Sequence, residues 1–274
     1  MAVLAIAGGT GGVGKTVVEQ LSLHGAHHTV YILTREIPPK PILEHARFLK
    51  VDYGHVDSLT KTLQDHKIDT VISTINLETD AGSQAQLDPN AAPGIGGWIP
   101  NARALKKTNL EYIRISIGLF SDYWGMPRIK SNLKPFQWLL DMDKGIVVVP
   151  GSGNEKFTVT YSEDLARVFV KLLDVDEKWP KRGFLSGSDI SINEVIIHVT
   201  RDPLEKLQKG DATLIWSPDD VPKEQFKPML AGLCQLLISG ACLLPNDDHR
   251  LDRRFPEIHF TTVEEILSHS WKSR

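Results

Sequence analysis

The seven residues Gly8-Gly9-Thr10-Gly11-Gly12-Val13-Gly14 separate a short apolar run from an amphipathic repeat. The run Ala2 to Ala7 contains no polar residue. Such a short apolar run, closed by glycines, is the pattern of a parallel strand covered on both faces. Downstream, Val13, Val17, Val18 and Leu21 fall on one helical stripe, with Lys15, Glu19 and Gln20 off it. A strand, a glycine turn and a helix joined this tightly make an anion cradle. Glycines at 8, 11 and 14 allow a tight turn, close approach to a pyrophosphate and close packing of helix on strand, while free N–H groups of the first helical turn face the anion. Gly8, Thr10, Gly11, Gly12, Val13 and Gly14 are therefore candidate phosphate-binding residues.

The same loop matches a second motif. Gly9 to Thr16 spells G-x-x-x-x-G-K-[ST], in which Lys15 would reach the terminal phosphates of a nucleoside triphosphate and Thr16 a magnesium ion. That chemistry needs an acidic residue at the end of another core strand. The strands expected at Thr29–Leu33 and Thr70–Ile75 end in Thr34-Arg35 and Asn76, which leaves Asp52, after Leu49-Lys50-Val51, as the candidate acid. A dinucleotide is the favoured ligand.

At 274 residues, 41% hydrophobic and 24% charged, the chain suits one large soluble domain or a core with a smaller lobe. A net charge of -3, with no basic stripe interleaved with aromatics, argues against direct binding to nucleic acid. Cys234 and Cys242 are too few for a disulfide framework and fit a reducing compartment. No charged segment precedes the first apolar run and no cleavage site follows it, so a cytoplasmic protein is expected. Met229 to Leu244 carries no charge over sixteen residues. A membrane span needs about 20, so this run reads as a buried helix bounded by Pro228 and Pro245. His24, His27 and His28 lie at a helix end and its turn with no carboxylate or cysteine at ligand spacing, so no metal site is expected and the rings read as solvated.

Along the chain, Thr29–Leu33 reads as a second buried strand, Pro38, Pro39 and Pro41 as a loop, and Phe48–Val51 as a third strand ending in Asp52. A helix over Ser58–His66 is expected, with Leu59 and Leu63 inward and Asp57 as its cap, followed by strand Thr70–Ile75. Strands and helices alternating at this spacing predict an α/β fold, a Rossmann-type doubly wound parallel sheet. Ala81–Ala92 has helical composition broken by Pro89, Gly94 to Pro100 makes only a poor strand, Asn101 can cap a helix through Lys107, and Leu110–Ile117 reads as a strand. Phe120, Tyr123, Trp124, Pro127, Pro135 and Trp138 then crowd a short stretch, as where loops line a ligand pocket. Strands Ile146–Pro150 and Phe157–Thr160, a helix from Asp164 to Asp174, and a last helix capped by Thr261-Thr262 and running to Trp271 complete the pattern. The dinucleotide core is expected over 1–150, and a smaller C-terminal lobe over 151–274, with some later elements returning to the core.

The tip of the second strand sets the cofactor. A site selecting NAD places Asp or Glu there, about 20 residues beyond the glycines, whereas a site selecting NADP places Arg to meet the 2'-phosphate. Here the tip is Thr34-Arg35, with Glu36 one residue further and Lys40 adding positive charge. NADPH is the expected cofactor. Gly8 to Gly14 with Arg35, Val51-Asp52-Tyr53, Thr70-Val71-Ile72-Ser73, Leu110-Glu111-Tyr112, Phe120 to Gly125, Pro150 to Asn154 and Thr160 to Asp164 together resemble the NmrA-like, isoflavone reductase-like branch of atypical short-chain dehydrogenases. The resemblance implies a Rossmann core with a C-terminal substrate lobe, the adenine near Asp52, and the nicotinamide approached by Ser73, Thr74 and Ile75.

The chain also departs from that pattern. Ordinary short-chain dehydrogenases use a tyrosine four residues before a lysine, and no tyrosine here has one. Isoflavone reductase-like enzymes carry a lysine in a loop after the fifth strand. Trp98-Ile99-Pro100-Asn101 resembles the start of that loop and then runs straight into Ala102-Arg103-Ala104-Leu105, so the loop and its lysine are missing; Lys106 and Lys107 come too late. Tyr123 is the substitute proton donor, and Lys130 the second choice. The expected function is an NADPH-dependent oxidoreductase reducing a small, aromatic or secondary-metabolite substrate. The alternatives are a dinucleotide-binding regulator of a partner protein, as the resemblance to NmrA allows, or a family member using the cofactor for a non-redox step.

Overall fold

The structure is a computed structural model that describes residues 1–39, 47–75, 103–137, 139–142, 144–195, 200–215, 217 and 221–271. They form an α/β protein of two compact units. The first comprises Met1–Asn76, Lys130–Lys134 and Ser162–Glu177, and the second takes the remaining described residues.

The first unit is built on β1 (Val3–Ala7), α1 (Gly12–His24), β2 (Thr29–Thr34), β3 (Arg47–Lys50), α2 (Val56–Asp65) and β4 (Thr70–Ser73). All four strands are parallel, in the order β3-β2-β1-β4. The chain leaves β1 to one side for β2 and β3, then crosses to the other for β4, so the order reverses at β1. In open α/β sheets the crevice beyond the strand ends at such a reversal is where ligands bind. Register sharpens the point. Ala7 stands opposite Leu33 and Ser73, so three strands end at one level.

Alternation along β1 assigns each face. Leu4 and Ile6 pack with Val17, Val18 and Leu21 of α1, with Ile32 and Ile72, and with Ala166 and Val170 of the helix Ser162–Asp174. Ala5 and Ala7 face the other way, onto Leu33, Val51 and the α2 residues Leu59 and Leu63. Leu4, Ile6, Val17 and Ile32 are fully buried. Each such side chain contributes roughly 1.5–3 kcal/mol. Helices on both faces of a parallel sheet are the doubly wound arrangement that the alternation of strands and helices predicts.

The structure corrects several expected boundaries. The third strand begins earlier, at Arg47, and β4 ends at Ser73; the last ladder bond runs from the Thr74 N–H to the Ala7 carbonyl at 2.9 Å, and Thr74 Oγ1 donates to the same oxygen at 2.9 Å. His55, not Asp57, occupies the N-cap position of α2, with no side-chain cap bond, and Asp57 sits in the first turn. Gln20, expected off the buried stripe, is buried, because the helix Ser162–Asp174 covers it and its Nε2 donates to Glu163 Oε1 at 2.7 Å. The strand expected over Leu110–Ile117 is confined to Arg114–Ser116. Its first half is drawn away, with Leu110 exposed and Glu111 accepting the Trp179 N–H.

In the second unit the uncharged run does not begin a helix at Met229. The helix spans Lys223–Ile238 with Pro228 inside it, and ends in a turn at Gly240, where φ is +76°. Phe226, Leu230, Ala231, Cys234 and Leu237 form its buried stripe, against Trp124, Phe157 and Leu207. No helix among the described residues is long and apolar enough to cross a membrane. The last helix, Val263–Trp271, starts as expected: Thr262 N–H donates to Glu265 Oε2 and Glu265 N–H to Thr262 Oγ1, a reciprocal cap.

His24 and His27 are exposed as expected, whereas His28, read as solvated, is buried. A carboxylate is present after all, supplied by Asp174 from a distant helix end. His27 Nε2 lies 2.8 Å from Asp174 Oδ1, and His28 Nε2 lies 3.2 Å from the same oxygen. The Ala2 N–H donates to His28 Nδ1 at 3.1 Å, so the neutral ring carries its proton on Nε2, toward Asp174. A metal at Nε2 would need the opposite tautomer, against the Ala2 donor. Burial, then the neighbouring His27, hold the His28 pKa below the usual imidazole value, while Asp174 pulls the other way. The unfolded chain therefore protonates first, near pH 6.5. Stability from this group is complete above that pH and is lost as pH falls toward the depressed folded value. Melting curves from pH 8 to 5 should show a midpoint falling below about pH 6.5, and His28→Gln should lower the midpoint at neutral pH and flatten that decline. An unaltered slope in the variant would assign the acid sensitivity elsewhere.

Candidate functional site

The glycine turn closes with almost no room. A Cβ on Gly14 would stand 2.2 Å from the Gly8 carbonyl oxygen and 2.5 Å from Thr74 Oγ1, and one on Gly8 would stand 2.8 Å from the Thr74 carbonyl. Gly8 also holds φ at +85° and Gly12 at +50°, in the left-handed region. Gly11 is different. Its backbone is extended, and a Cβ there would meet nothing within 4 Å. The fold requires glycine at 8 and 14; at 11 the space around the backbone is open.

Gly11 occupies the cap position of α1 with no side-chain cap, and the first turn contains no acid. Its free N–H groups and the positive end of the helix are thereby left for an external anion. Thr10 is exposed beside them and Val13 is half-buried. Ser73 and Ile75 are exposed and Thr74 is half-buried at the end of β4. Thr74 is also the residue that Gly8 and Gly14 approach. The structure thus gathers Gly8 to Gly14 and Ser73 to Ile75 around the strand-order reversal, a surface that fits a dinucleotide pyrophosphate.

Arg35 follows β2, exposed, and makes no ion pair with any described residue. Thr34 Oγ1 donates to the Glu36 carbonyl at 2.7 Å and accepts the Glu36 N–H at 3.3 Å, a small turn that fixes the chain on either side of Arg35. Tyr53, which the sequence reading named only within the Val51-Asp52-Tyr53 match, has a structural role at this strand end. Its hydroxyl donates to the Leu33 carbonyl, tying the segment after β3 to the end of β2. Burial pushes its pKa up while the Arg35 charge opposes that shift. Asp52 is exposed beyond β3, its carboxylate accepting the Gly54 N–H at 2.9 Å and facing His55 Nδ1 at 2.7 Å. Those partners hold it below the usual carboxylate range, the Gly54 N–H first.

These positions remove the triphosphate reading. Thr16 is buried, with its Oγ1 donating to the Gly12 carbonyl and accepting from Asn132 Nδ2 at 3.2 Å. The candidate acid, Asp52, follows β3, and β2 separates that strand from β1. Two strand spacings put it about 10 Å aside from the loop.

The two candidate proton donors lie in different surroundings. Tyr123, in the second unit, is partly buried in an aromatic cluster, edge-on to Phe120 and Phe136. Lys130, in the first unit, has Nζ 3.4 Å from both Glu19 Oε2 and Glu163 Oε1. Burial lowers its pKa, but these carboxylates outweigh burial and raise it, so the ammonium is held charged. Lys40, Trp138, the segments Ala81–Ala92 and Gly94–Pro100, and the shortened loop after Pro100 lie outside the described residues.

A family model described as NAD dependent epimerase/dehydratase family matches residues 4–89. Oxidoreductase swnN of Metarhizium robertsii is 24% identical, over 99% of this chain and 98% of its own. Oxidoreductase BOA1 of Botryotinia fuckeliana is 30% identical over 70% of this chain and 73% of its own. Leucoanthocyanidin reductase of Vitis vinifera has the same fold, with a TM-score of 0.68 at 19% identity over 97% of this chain and 98% of its own. The swnN alignment covers 336 positions against 274 residues here, so at least 62 of them face a gap in this chain.

The glycines separate fold from ligand. Gly14→Ala forces a methyl group into backbone and should cost at least the 1–3 kcal/mol or so typical of overpacking, visible as a lowered melting midpoint. Gly11→Ala should melt within about 0.5 kcal/mol of the parent yet lose the stabilisation that added dinucleotide gives the parent. A Gly11→Ala protein that responds to dinucleotide like the parent would remove the cradle from this loop.

Proposed function

The chain belongs to the NmrA-like, isoflavone reductase-like family of atypical short-chain dehydrogenases, and from that membership we propose that it is a cytoplasmic NADPH-dependent reductase of a small aromatic or secondary-metabolite substrate. The observation that carries the cofactor choice is Arg35, an exposed guanidinium after β2 with no carboxylate partner among the described residues. A free guanidinium there suits a 2'-phosphate; an NAD site would place a carboxylate at this strand end. Glu36, the nearest acid, has its backbone tied into the Thr34 turn. The names of its relatives support the reaction class: oxidoreductases, and in Nicotiana tabacum a phenylcoumaran benzylic ether reductase, 24% identical over 96% of this chain.

In this reading Gly8, Thr10, Gly11, Gly12, Val13 and Gly14 hold the pyrophosphate, Arg35 the 2'-phosphate and Asp52 the adenine side. Ser73, Thr74 and Ile75 flank the nicotinamide. Bound NADPH supplies the hydride, and the protein supplies binding and orientation. Residues 1–150 contribute most of the cofactor core and 151–274 the substrate lobe. Tyr123 is the proton donor toward the reduced group. Lys130, paired with Glu19 and Glu163, serves the architecture of α1 instead.

Two measurements test this. Arg35→Ala should weaken NADPH about tenfold to a hundredfold, the worth of a charge-assisted contact, and leave NADH nearly unchanged; equal losses would remove Arg35 from the 2'-phosphate. Proton donation contributes about 10²- to 10⁴-fold to a rate, so Tyr123→Phe should lower NADPH oxidation with substrate by a factor in that range while binding NADPH normally. Dinucleotide binding with no turnover on any carbonyl or alkene, together with a co-purifying protein, would favour the regulator.

A further inference from the structure

Lys130–Lys134 belongs to the first compact unit, although the chain on either side belongs to the second. This short strap touches α1 at three places. Lys130 Nζ reaches Glu19, Asn132 Nδ2 donates to Thr16 Oγ1, and Leu133 Cδ2 lies 3.8 Å from where a Cβ on Gly12 would stand. Gly12, Thr16 and Glu19 share one helical stripe. Seven helical residues rise about 10.5 Å, and three residues of extended chain span at most about 10–11 Å. The strap therefore runs along α1 toward its N-terminus, with Leu133 level with the first turn.

Lys134 is the next residue. It is exposed and makes no ion pair with any described residue. At the end of α1 that the strap approaches, the first-turn N–H groups are uncapped and no acid stands in the first turn. A pyrophosphate there carries two negative charges, and the helix end offers only about half a positive charge. We propose that Lys134 is a dinucleotide-binding residue that sets its ammonium against the pyrophosphate, and that Asn132 and Leu133 are positioning residues that hold the strap in register on α1. The inference rests on the dinucleotide reading. It adds to that site a cation supplied from the middle of the chain, outside the glycine loop.

The pyrophosphate is common to both dinucleotides, whereas Arg35 faces a group that only NADPH carries. Binding of NADPH, NADH and adenosine 2'-monophosphate should be titrated by calorimetry on the parent, Lys134→Ala and Lys134→Glu. Lys134→Ala should weaken NADPH and NADH by the same factor, about fivefold for an exposed ion pair, and Lys134→Glu by more. The nucleotide lacking a pyrophosphate should be unaffected, and the loss should shrink at high salt. Asn132→Ala should abolish most of the difference between Lys134 and Lys134→Ala. Unchanged binding of both dinucleotides in Lys134→Ala and Lys134→Glu would overturn the proposal while leaving the cofactor reading intact. A loss confined to NADPH would also overturn it, since Lys134 would then face the 2'-phosphate. A parent that binds neither dinucleotide would overturn the cofactor reading itself.

Discussion

The first turn of α1, the end of β1 and the end of β4 meet through backbone, and that contact leaves no space for a methyl group. Gly8 and Gly14 approach each other and Thr74 within distances that a Cβ would violate, and Thr74 returns two hydrogen bonds to Ala7. Because β1 lies between β2 and β4 in the order β3-β2-β1-β4, fixing its end fixes the level at which β2 and β4 stop. The crevice above them follows from this one close approach. A bulkier residue at either glycine would lift α1 off the sheet, and the uncapped N–H groups would no longer lie over the strand ends.

That constraint also explains the asymmetry of the β1 faces. Leu4 and Ile6 meet α1 and the helix Ser162–Asp174, where two helices leave volume for large side chains. Ala5 and Ala7 meet the α2 side, filled from the other partner by Leu33, Val51, Leu59 and Leu63. Interiors pack at near-crystalline density, so one strand can present large residues to one layer and small ones to the other only if the partner layers compensate.

Local chemistry made much of this legible in the sequence. The glycine spacing encodes a turn whose demands are met within a dozen residues, and the apolar runs encode strands covered on both faces. The position of Arg35 just after β2 could be read because that strand follows the loop at a short, regular spacing. What could not be read depends on partners remote in sequence. Gln20 looks like a solvated residue until Glu163 arrives 143 positions later. His28 likewise has no visible carboxylate until the end of a distant helix supplies Asp174. Leu110–Ile117 has strand composition, yet Glu111 is committed to the Trp179 N–H. The strap at Lys130–Lys134 carries no periodic pattern at all, and only its contacts with Gly12, Thr16 and Glu19 reveal it.

Around the glycine turn, acids are either absent or engaged. The first turn of α1 has none. Glu19, further along the helix, is paired with Lys130. Asp52 accepts a backbone N–H and faces His55, which spreads its charge over two partners. Arg35, by contrast, carries no partner among the described residues, so its charge is not already neutralised when a phosphate arrives. An ion pair that must first be broken contributes little to binding, because the old attraction is lost as the new one forms. A guanidinium on a turn fixed by Thr34 would meet a phosphate without that loss. In the proposed reading the two ends of a dinucleotide would be matched by different physics, oriented backbone dipoles at the pyrophosphate and an unpaired cation at the ribose. On that proposal, selectivity between NADPH and NADH would reside in one side chain without disturbing the cradle that both would share.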